Sequence, residues 1–242
     1  MKTRKAKQKQ DVLVVYCFHI YNDRVKKFIK KALFKDDHVK FIVVCNDLEL
    51  KIPVPEYVTY LNRENKGYDF GAWSHALLTN NLYENYDKFI FVNSSVDGPY
   101  NKGKWTDVYL NGLQNNVKLF GTTINCIKKI NLCHVQSYIF CMNKETLKFL
   151  IGKQIFSLTE LATTFKNAIW KKEVAMSRKI VEHGWNIGSL LSYYKGVDFT
   201  KPSDTIWGPD MMRPKYKNKS WTKKNLVFVK GNRIDCTKNC KK

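Results

Sequence analysis

The sequence lacks the short motifs that identify several large enzyme classes. No GxxxxGK[ST] or GxGxxG follows its first apolar run, which counts against a P-loop nucleotidase and a dinucleotide-dependent oxidoreductase. It also has no GxSxG element and no HExxH helix, and its five histidines are not spaced as metal ligands. The residues left for chemistry are acids and small polar side chains at the ends of predicted strands. Such a set suits the binding of a metal-neutralised diphosphate better than nucleophilic catalysis.

Long apolar runs are also missing. No run has membrane-spanning length, and the basic start of the chain is not followed by the apolar core of a signal peptide. The odd number of cysteines, seven, argues against a disulfide framework, and Cys17, Cys45 and Cys141 lie in apolar runs as reduced core cysteines do. We therefore expect a cytoplasmic protein, with peripheral membrane association left open. The lysine- and asparagine-rich composition suggests an AT-rich genome such as that of a large virus, and the compartment would then be the host cytoplasm.

Acidic residues are half as numerous as basic ones, 21 against 42, which gives a net charge of +21. The excess is concentrated at the two ends, in residues 1–10 and in residues 213–242, where eleven basic residues accompany one acid. Basic blocks at chain ends are usually solvated tails. The alternatives are attraction to a phosphate-bearing ligand, to an anionic membrane surface or to nucleic acid. We predict a disordered basic leader over 1–10 and a basic tail over 231–242.

The apolar pattern between these ends predicts one α/β domain over residues 11–230. Continuous apolar runs, typical of strands buried on both faces of a parallel sheet, alternate with segments of helical spacing. The predicted strands are 11–18, 40–46, 58–61, 88–92, 117–124, 135–142 and 226–229. The predicted helices are 25–33, 71–83, 105–114, 144–151, one that begins at Thr159, and 172–183. This order predicts a mostly parallel central sheet flanked by helices.

Residues 62–100 contain the densest set of candidate site residues. An acid lies between two glycines in Gly67-Tyr68-Asp69-Phe70-Gly71, just before a predicted helix. The strand that follows ends in Asn93-Ser94-Ser95-Val96-Asp97 and a Gly-Pro turn. Ligands of α/β proteins bind where strands end in this way.

These motifs, in this order, resemble the nucleotide-sugar half of a GT-A-fold (Rossmann-like) glycosyltransferase, especially the family 2 and rhamnan-synthesis types. Asn65-Lys66-Gly67 falls where family 2 enzymes often carry an N-x-G loop, and Ser95-Val96-Asp97 falls where they carry a DxD-type motif. Residues 172–185, KEVAMSRKIVEHGW, resemble the helix that carries the catalytic base in inverting members. The resemblance spans roughly residues 11–190.

The resemblance implies a function and a set of roles. It implies transfer of a hexose or deoxyhexose from a nucleoside-diphosphate sugar to a hydroxyl of a glycan or lipid-linked acceptor, with inversion, and retention as the alternative. It implies residues 11–100 as the nucleotide-sugar half and 101–230 as the acceptor half. The implied site residues are Glu173 as general base, Asn65, Gly67, Asp69, Asn93, Ser95 and Asp97 for the donor, and Asp97 for Mn²⁺ or Mg²⁺.

Two departures from the family pattern reduce the number of carboxylates. Ser95 stands where a DxD motif has its first acid, and Glu173-Val174 stands where the base helix has an acidic pair. Because divalent cations favour several oxygen ligands, the cation site is either weak or replaced by basic side chains that hold the diphosphate.

Each role has a simpler structural alternative. Asp69 is suited to cap the helix that follows it, Asp97 to a turn before Gly98-Pro99, and Glu173 to the solvated first turn of a helix. Asn93, Ser94 and Ser95 are equally suited to end a strand. Tyr68, Phe70 and Trp73 are better suited to packing in the core or a loop than to serving as platforms for a sugar. For the whole chain, the alternatives are a nucleic-acid-binding protein with basic ends, less favoured because no known binding motif is present, and an inactive protein of the same fold.

Overall fold

The computed structural model describes residues 11–101, 103–126, 132–201 and 221–231. The predicted leader, most of the basic segment 213–242 and the tail 231–242 beyond its first residue lie outside this part of the chain. The strands are β1 (Val12–Phe18), β2 (Val39–Cys45), β3 (Val58–Asn62), β4 (Lys88–Asn93), β5 (Val96–Asp97), β6 (Val117–Gly121), β7 (Ile124–Asn125), β8 (His134–Val135), β9 (Ile139–Asn143), β10 (Asn186–Ser189) and β11 (Val229–Lys230).

Helices connect these strands. They are α1 (Asp23–Lys31), α2 (Tyr68–Leu78), α3 (Trp105–Leu110), α4 (Lys144–Gly152), α5 (Phe165–Asn167), α6 (Ala175–Glu182) and α7 (Lys223–Leu226). A π-helical segment, Ala168–Val174, joins α5 to α6, and 3₁₀ turns occupy Thr79–Asn85 and Ser192–Tyr194.

A seven-stranded sheet organises the fold, in the order β10–β6–β9–β4–β1–β2–β3. Strand β9 is antiparallel to both of its neighbours, and every other pair in this sheet is parallel. Two separate clusters of buried apolar side chains cover the two faces of β1, which explains why all seven of its residues are apolar and buried. The predicted α/β class with a mostly parallel central sheet is confirmed.

Several predicted elements differ in the structure. The helix predicted to begin at Thr159 is wrong, because the Ser157 hydroxyl accepts the N–H groups of Thr159 and Glu160 and forms a turn. The helix begins later, at Phe165, where the hydroxyl of Thr164 caps it.

The boundaries of two strands also differ from the prediction. The strand predicted over 117–124 is divided between β6 and β7, and the strand predicted over 226–229 is replaced by the end of α7 and the start of β11. Strand β10, at the edge of the sheet, was not predicted, since its short run Asn-Ile-Gly-Ser carries no strand pattern.

The cysteines follow the prediction in part. Cys17, Cys45 and Cys141 are buried free thiols. Cys126 and Cys133 form a disulfide, which the odd cysteine count did not predict. In the described residues, no helix has both the length and the apolar character needed to cross a membrane.

Candidate functional site

Parallel strands β1, β2 and β3 end at one edge of the sheet, and polar side chains follow them there. His19, directly after β1, lies with Nδ1 2.8 Å from the carbonyl oxygen of Asn46, which follows β2. Arg63, directly after β3, donates from Nη1 to Oδ1 of Asn46 at 2.7 Å. Burial lowers the pKa of Arg63. Three neighbouring strand ends are therefore joined by one polar network that includes a positive charge.

The loop before α2 depends on its two glycines. Gly67 has a left-handed backbone (φ 78°), and a side chain there would also meet Leu161 at 2.9 Å. Gly71 lies so close to the chain that an added Cβ would be 2.1 Å from the carbonyl oxygen of Lys66. The same turn is closed by a hydrogen bond from the Gly71 N–H to the Gly67 carbonyl at 2.8 Å. The spacing of the two glycines thus fixes where α2 begins, with Asp69 as the second residue of the helix.

Asp69 points to the end of β4 rather than to its own helix. Oδ2 accepts a hydrogen bond from Nδ2 of Asn93 at 2.7 Å, and Oδ1 accepts one from the thiol of Cys17 at 3.5 Å. The first residue before α2 is Gly67, and no side chain caps this helix. The capping alternative for Asp69 is therefore wrong. Burial raises the pKa of the Asp69 carboxyl, against the lowering effect of the two hydrogen bonds.

Glu173 lies in the π-helical segment Ala168–Val174. Its Oε1 accepts the backbone N–H of Ser137 at 2.9 Å, at the turn that leads into β9. Among the described residues, the structure shows no hydrogen bond to Oε2. Glu173 is thus not the fully solvated acid of the structural alternative, because one of its two oxygens accepts a backbone hydrogen bond. A π-helical turn is often found at functional sites.

Lys172, the neighbour of Glu173, anchors this turn from the opposite side. It is buried, and its ammonium group donates to the carbonyl oxygens of Gln154 at 2.6 Å and Glu160 at 2.5 Å. Burial lowers the pKa of Lys172. The two adjacent residues therefore point to different sides, Lys172 inward to the loop around 154–160 and Glu173 towards Ser137.

Asp69 and Glu173 face the same region of the protein. The negative charge of Glu173 contributes to the raised pKa of Asp69, and the positive charge of Lys230 opposes it. Ser137, which holds Glu173, is next to Tyr138, whose carbonyl accepts the N–H of Asn93 at 3.0 Å. Asn93 in turn holds Asp69. The structure therefore brings together three predicted site residues, Asp69, Asn93 and Glu173, from three separate elements.

Ser95 and Asp97 lie beyond the end of β4, on the short strand β5 and its approach. The Asn93 side chain accepts the N–H of Ser95 at 2.9 Å, and the Ser95 carbonyl accepts the N–H of Gly231 at 2.7 Å. Strand β11 pairs with β5, so the Asp97 backbone lies opposite Val229. This turn is shaped by hydrogen bonds within the protein, in agreement with the strand-ending alternative for its residues.

The Asp97 carboxylate contacts a lysine and a tyrosine. Lys27 of α1 donates to Oδ1, and the hydroxyl of Tyr100 donates to Oδ2. Lys27 and Lys223 both lie over the Tyr100 ring, 4.6 and 4.9 Å from its centroid. Burial alone would raise the pKa of Asp97, but the two hydrogen bonds and the charges of Lys27 and Lys223 lower it.

These surroundings do not fit a divalent cation held by Asp97. Both carboxylate oxygens already accept hydrogen bonds, and the nearby charges are positive. In the described ranges, no three His, Cys, Asp or Glu side chains are grouped as ligands. A hard cation prefers several oxygen ligands, and Asp97 offers one carboxylate that Lys27 neutralises.

Asn65 and Gly67 lie apart from the Asp97 turn. With Tyr68, Leu161 and Thr163 they line a cavity of about 420 Å³ beside the start of α2. The sequence reasoning missed His19, Arg63 and Lys27. His19 directly follows the apolar run of β1, and Arg63 directly follows the last residue of β3, so a position at a strand end was the signal that could have found both.

The chain is similar to a curated protein over part of its length. The virulence protein VirA of Vibrio anguillarum is 32% identical over 114 residues, which are 46% of this chain and 34% of that protein. The chain thus matches about a third of the length of this curated relative, and a second sequence of the same protein matches equally.

Two solved structures are similar in outline. The apo-form glycosyltransferase GlyE of Streptococcus pneumoniae TIGR4 has a TM-score of 0.44 and 15% identity, over 76% of this chain and 46% of that chain. A cytidylyltransferase from Leptospira borgpetersenii has a TM-score of 0.42 and 11% identity, over 74% and 75%. Since both scores are below 0.5, the fold assignment rests on the sheet described above.

The family comparison is the decisive one. The model of "RgpF: Rhamnan synthesis protein F" matches residues 50–216, well over half of the chain. This range includes the loop before α2, the end of β4 and the segment of Glu173. The match confirms the resemblance to the rhamnan-synthesis type of glycosyltransferase that the sequence motifs predicted. The chain belongs to the rhamnan synthesis protein F family.

Proposed function

We propose that this protein transfers a sugar from a nucleoside-diphosphate sugar to a hydroxyl group of a glycan or lipid-linked acceptor. The observation that carries the proposal is the arrangement of Asp69, Asn93 and Glu173 at the carboxyl edge of the sheet. Family membership supports the reaction class. The hexose or deoxyhexose, the nucleotide and the acceptor are parts of this proposal.

Glu173 is the proposed general base. Its Oε2 removes the proton of the acceptor hydroxyl as that oxygen forms a bond to the anomeric carbon of the donor. The bond from this carbon to the diphosphate oxygen breaks, and its electron pair leaves with the diphosphate. Attack from the face opposite the leaving group inverts the configuration. A base of this kind contributes roughly 10²–10⁴-fold to the rate.

The donor would lie along the ends of β1 to β4. Asp69 and Asn93 offer hydrogen bonds to the ribose or sugar hydroxyls. Positive charge near the end of β4 comes from Arg24, which donates from Nε to the Ser94 carbonyl at 3.2 Å, and from Lys230. These groups offset the charge that develops on the leaving diphosphate. No step is assigned to a divalent cation, since the Asp97 surroundings do not fit one.

The proposal is tested with UDP-, GDP- and dTDP-sugars. One of them raises the melting temperature of the wild-type protein. The Glu173→Gln variant keeps this shift but loses transfer activity by about 10²–10⁴-fold. Glu182→Gln is the matched control, because Glu182 is on α6 and pairs with Arg178 and Lys179 at the surface.

Two results would contradict the proposal. One is the absence of a thermal shift with every nucleotide sugar. The other is equal loss of activity in Glu173→Gln and Glu182→Gln. The anomeric configuration of the product, read by NMR, decides between inversion and retention.

A further inference from the structure

Tyr68 and Phe165 are large aromatic side chains that the fold leaves exposed. Their relative exposures are 36% and 68%, while Phe70 and Trp73, predicted with Tyr68 as packing residues, are buried. The two rings contact edge to face, with their centroids 6.3 Å apart and their planes at 61°. Trp170, on the same helical stretch as Phe165, is 49% exposed. Packing explains Phe70 and Trp73 but not Tyr68.

The backbone of Tyr68 supports a functional reason for its position. Its φ is 56°, in the left-handed region that bulky side chains rarely adopt. Tyr68 directly follows Gly67, which is also left-handed, and it is exposed while the next residue, Asp69, accepts a hydrogen bond from Asn93. Strained residues of this kind persist mostly at ligand sites.

Tyr68 is one of the residues that line a cavity of about 420 Å³. This is within the range of about 300–1,000 Å³ that small-molecule sites occupy. Its lining combines the apolar residues Leu161 and Ala162 with the polar residues Asn65, Lys66 and Thr163. Apolar C–H groups and many hydroxyls are the two features of a sugar ring. An aromatic face beside amide, ammonium and hydroxyl groups matches both of them.

The residues that line the cavity are close in the sequence to the proposed reaction centre. Tyr68 directly precedes Asp69 in α2, and Phe165 begins the helical stretch that continues to Glu173. The Tyr68–Phe165 contact therefore joins the two elements that carry the two carboxylates. A flat nucleobase is held best between parallel rings, whereas these rings form a wedge, which suits a puckered sugar.

We propose that Tyr68 and Phe165 form the platform on which a saccharide acceptor stacks, with hydrogen bonds to Asn65, Lys66 and Thr163. This inference rests on the proposed glycosyl transfer and names the acceptor class of that site. It assigns Asn65 to the acceptor rather than to the donor. The platform determines which acceptor hydroxyl reaches Glu173.

Binding of oligosaccharides composed of hexose and deoxyhexose residues tests the platform directly, by ligand-observed NMR on the full chain. Phe165→Ala and Tyr68→Ala together weaken saccharide binding by about ten-fold, in line with the loss of two ring contacts. Tyr68→Phe, which keeps the ring, leaves binding unchanged. Tyr193→Ala, which removes a 43% exposed aromatic outside this cavity, is the matched control. Phe165 is mostly exposed, so Phe165→Ala alone should leave the fold intact. Weaker saccharide binding in this single variant therefore does not come from unfolding.

Activity measurements separate the platform from the transfer reaction. In Phe165→Ala the KM for the acceptor rises while the thermal shift by the nucleotide sugar is unchanged. Loss of the nucleotide-sugar shift with intact saccharide binding would overturn the acceptor assignment. The assignment would also be overturned if Phe165→Ala kept its saccharide binding but bound less well to vesicles of phosphatidylcholine and phosphatidylglycerol. Tyr68 and Phe165 would then form a membrane contact. If no nucleotide sugar stabilises even the wild type, yet Phe165→Ala loses saccharide binding, the transferase proposal fails and the saccharide platform stands.

Discussion

At the scale of single residues, Asp97 shows how far the surroundings decide the role of an acid. Its place in the sequence resembles that of a metal-binding acid, but its carboxylate lies between the ammonium of Lys27 and the hydroxyl of Tyr100. Its side chain is 22% exposed, so the pair with Lys27 is only partly screened by solvent. This makes Asp97 a residue that joins α1 to β5.

Asp97→Asn is expected to lower the free energy of unfolding by about 1–3 kcal/mol at pH 7. The folded pKa of Asp97 is lowered, so this stabilisation is complete above the unfolded pKa of about 4 and is lost as the pH falls through the folded value. Urea unfolding at pH 7 and pH 2.5 checks both points. Asp23→Asn, which breaks the exposed pair with Lys26, leaves stability unchanged. Stabilisation of wild type by Mn²⁺ that Asp97→Asn abolishes would instead restore the metal assignment.

Asp69 is expected to show the opposite pH dependence. Burial raises its folded pKa, so the folded protein holds a proton that the unfolded chain releases at about pH 4. The wild type therefore loses stability as the pH rises from about 4 to the folded pKa, and Asp69→Asn does not. Unfolding free energies across this range should favour the variant increasingly with pH.

Asp36 provides the control for this comparison. Its hydrogen bond with Lys104 lowers its pKa, so Asp36→Asn should become less stable relative to wild type as the pH rises from the folded pKa to the unfolded value of about 4. Above that pH, where the effect of Asp69 appears, the difference between Asp36→Asn and wild type should stay constant. If the free energies of unfolding of wild type and Asp69→Asn changed in parallel with pH, the pKa of Asp69 would be the same in the folded protein as in the unfolded chain.

At the scale of elements, the start of α2 depends on a backbone contact. Gly71→Ala would place a methyl group against the Lys66 carbonyl, at a distance that real structures do not allow. We expect a loss of about 1–3 kcal/mol or more in unfolding free energy, together with loss of the nucleotide-sugar shift, because the loop that orients Asp69 must move. Differential scanning calorimetry with and without the nucleotide sugar measures both effects.

Gly152→Ala is the matched control for that change. Gly152 ends α4, and nothing lies within 4 Å of an added Cβ. The substitution should be neutral or should stabilise by up to about 1 kcal/mol. Equal free energies of unfolding in Gly71→Ala and Gly152→Ala would mean that the turn before α2 can move without loss of stability.

At the scale of the whole molecule, the last described residues, 227–231, pair with and pack against the first half of the chain. Val227 accepts the N–H of Tyr100 at 2.8 Å, and β11 pairs with β5. Phe228 is fully buried against Phe28 of α1 and Trp105 of α3. The division into halves over 11–100 and 101–230 stays a prediction, with residues 227–231 in contact with the first half.

Phe228→Ala is therefore expected to lower the free energy of unfolding by about 3–5 kcal/mol, the usual cost of removing a buried phenyl ring. The ring joins segments that are distant in the sequence, so the whole domain should melt at a lower temperature in a single transition. Leu48→Ala, at a 59% exposed side chain, should change stability by less than about 0.5 kcal/mol. A separate early transition in Phe228→Ala, with the rest of the melt unchanged, would show that residues 221–231 unfold independently.

The sequence by itself determined six of the seven strands of the central sheet, all except β10, and the main turns of the site. The seven buried apolar residues of β1 and the two glycines around Asp69 leave few other conformations, because burial and backbone sterics act locally. The motif around Glu173 was likewise visible as a pattern along one helix.

Only the tertiary structure decided which partners the side chains of the site contact. Lys27 and Asp97 are 70 positions apart, and their pairing depends on how α1 lies over β5. The exposure of Tyr68 and its contact with Phe165 depend on the left-handed turn and on the path of the chain through 158–165. Charge pairing, burial and ring contacts act between segments that are far apart in the sequence. The sequence pattern does not encode how close these segments come in space, so the contacts of Asp97 and Tyr68 followed only from the fold.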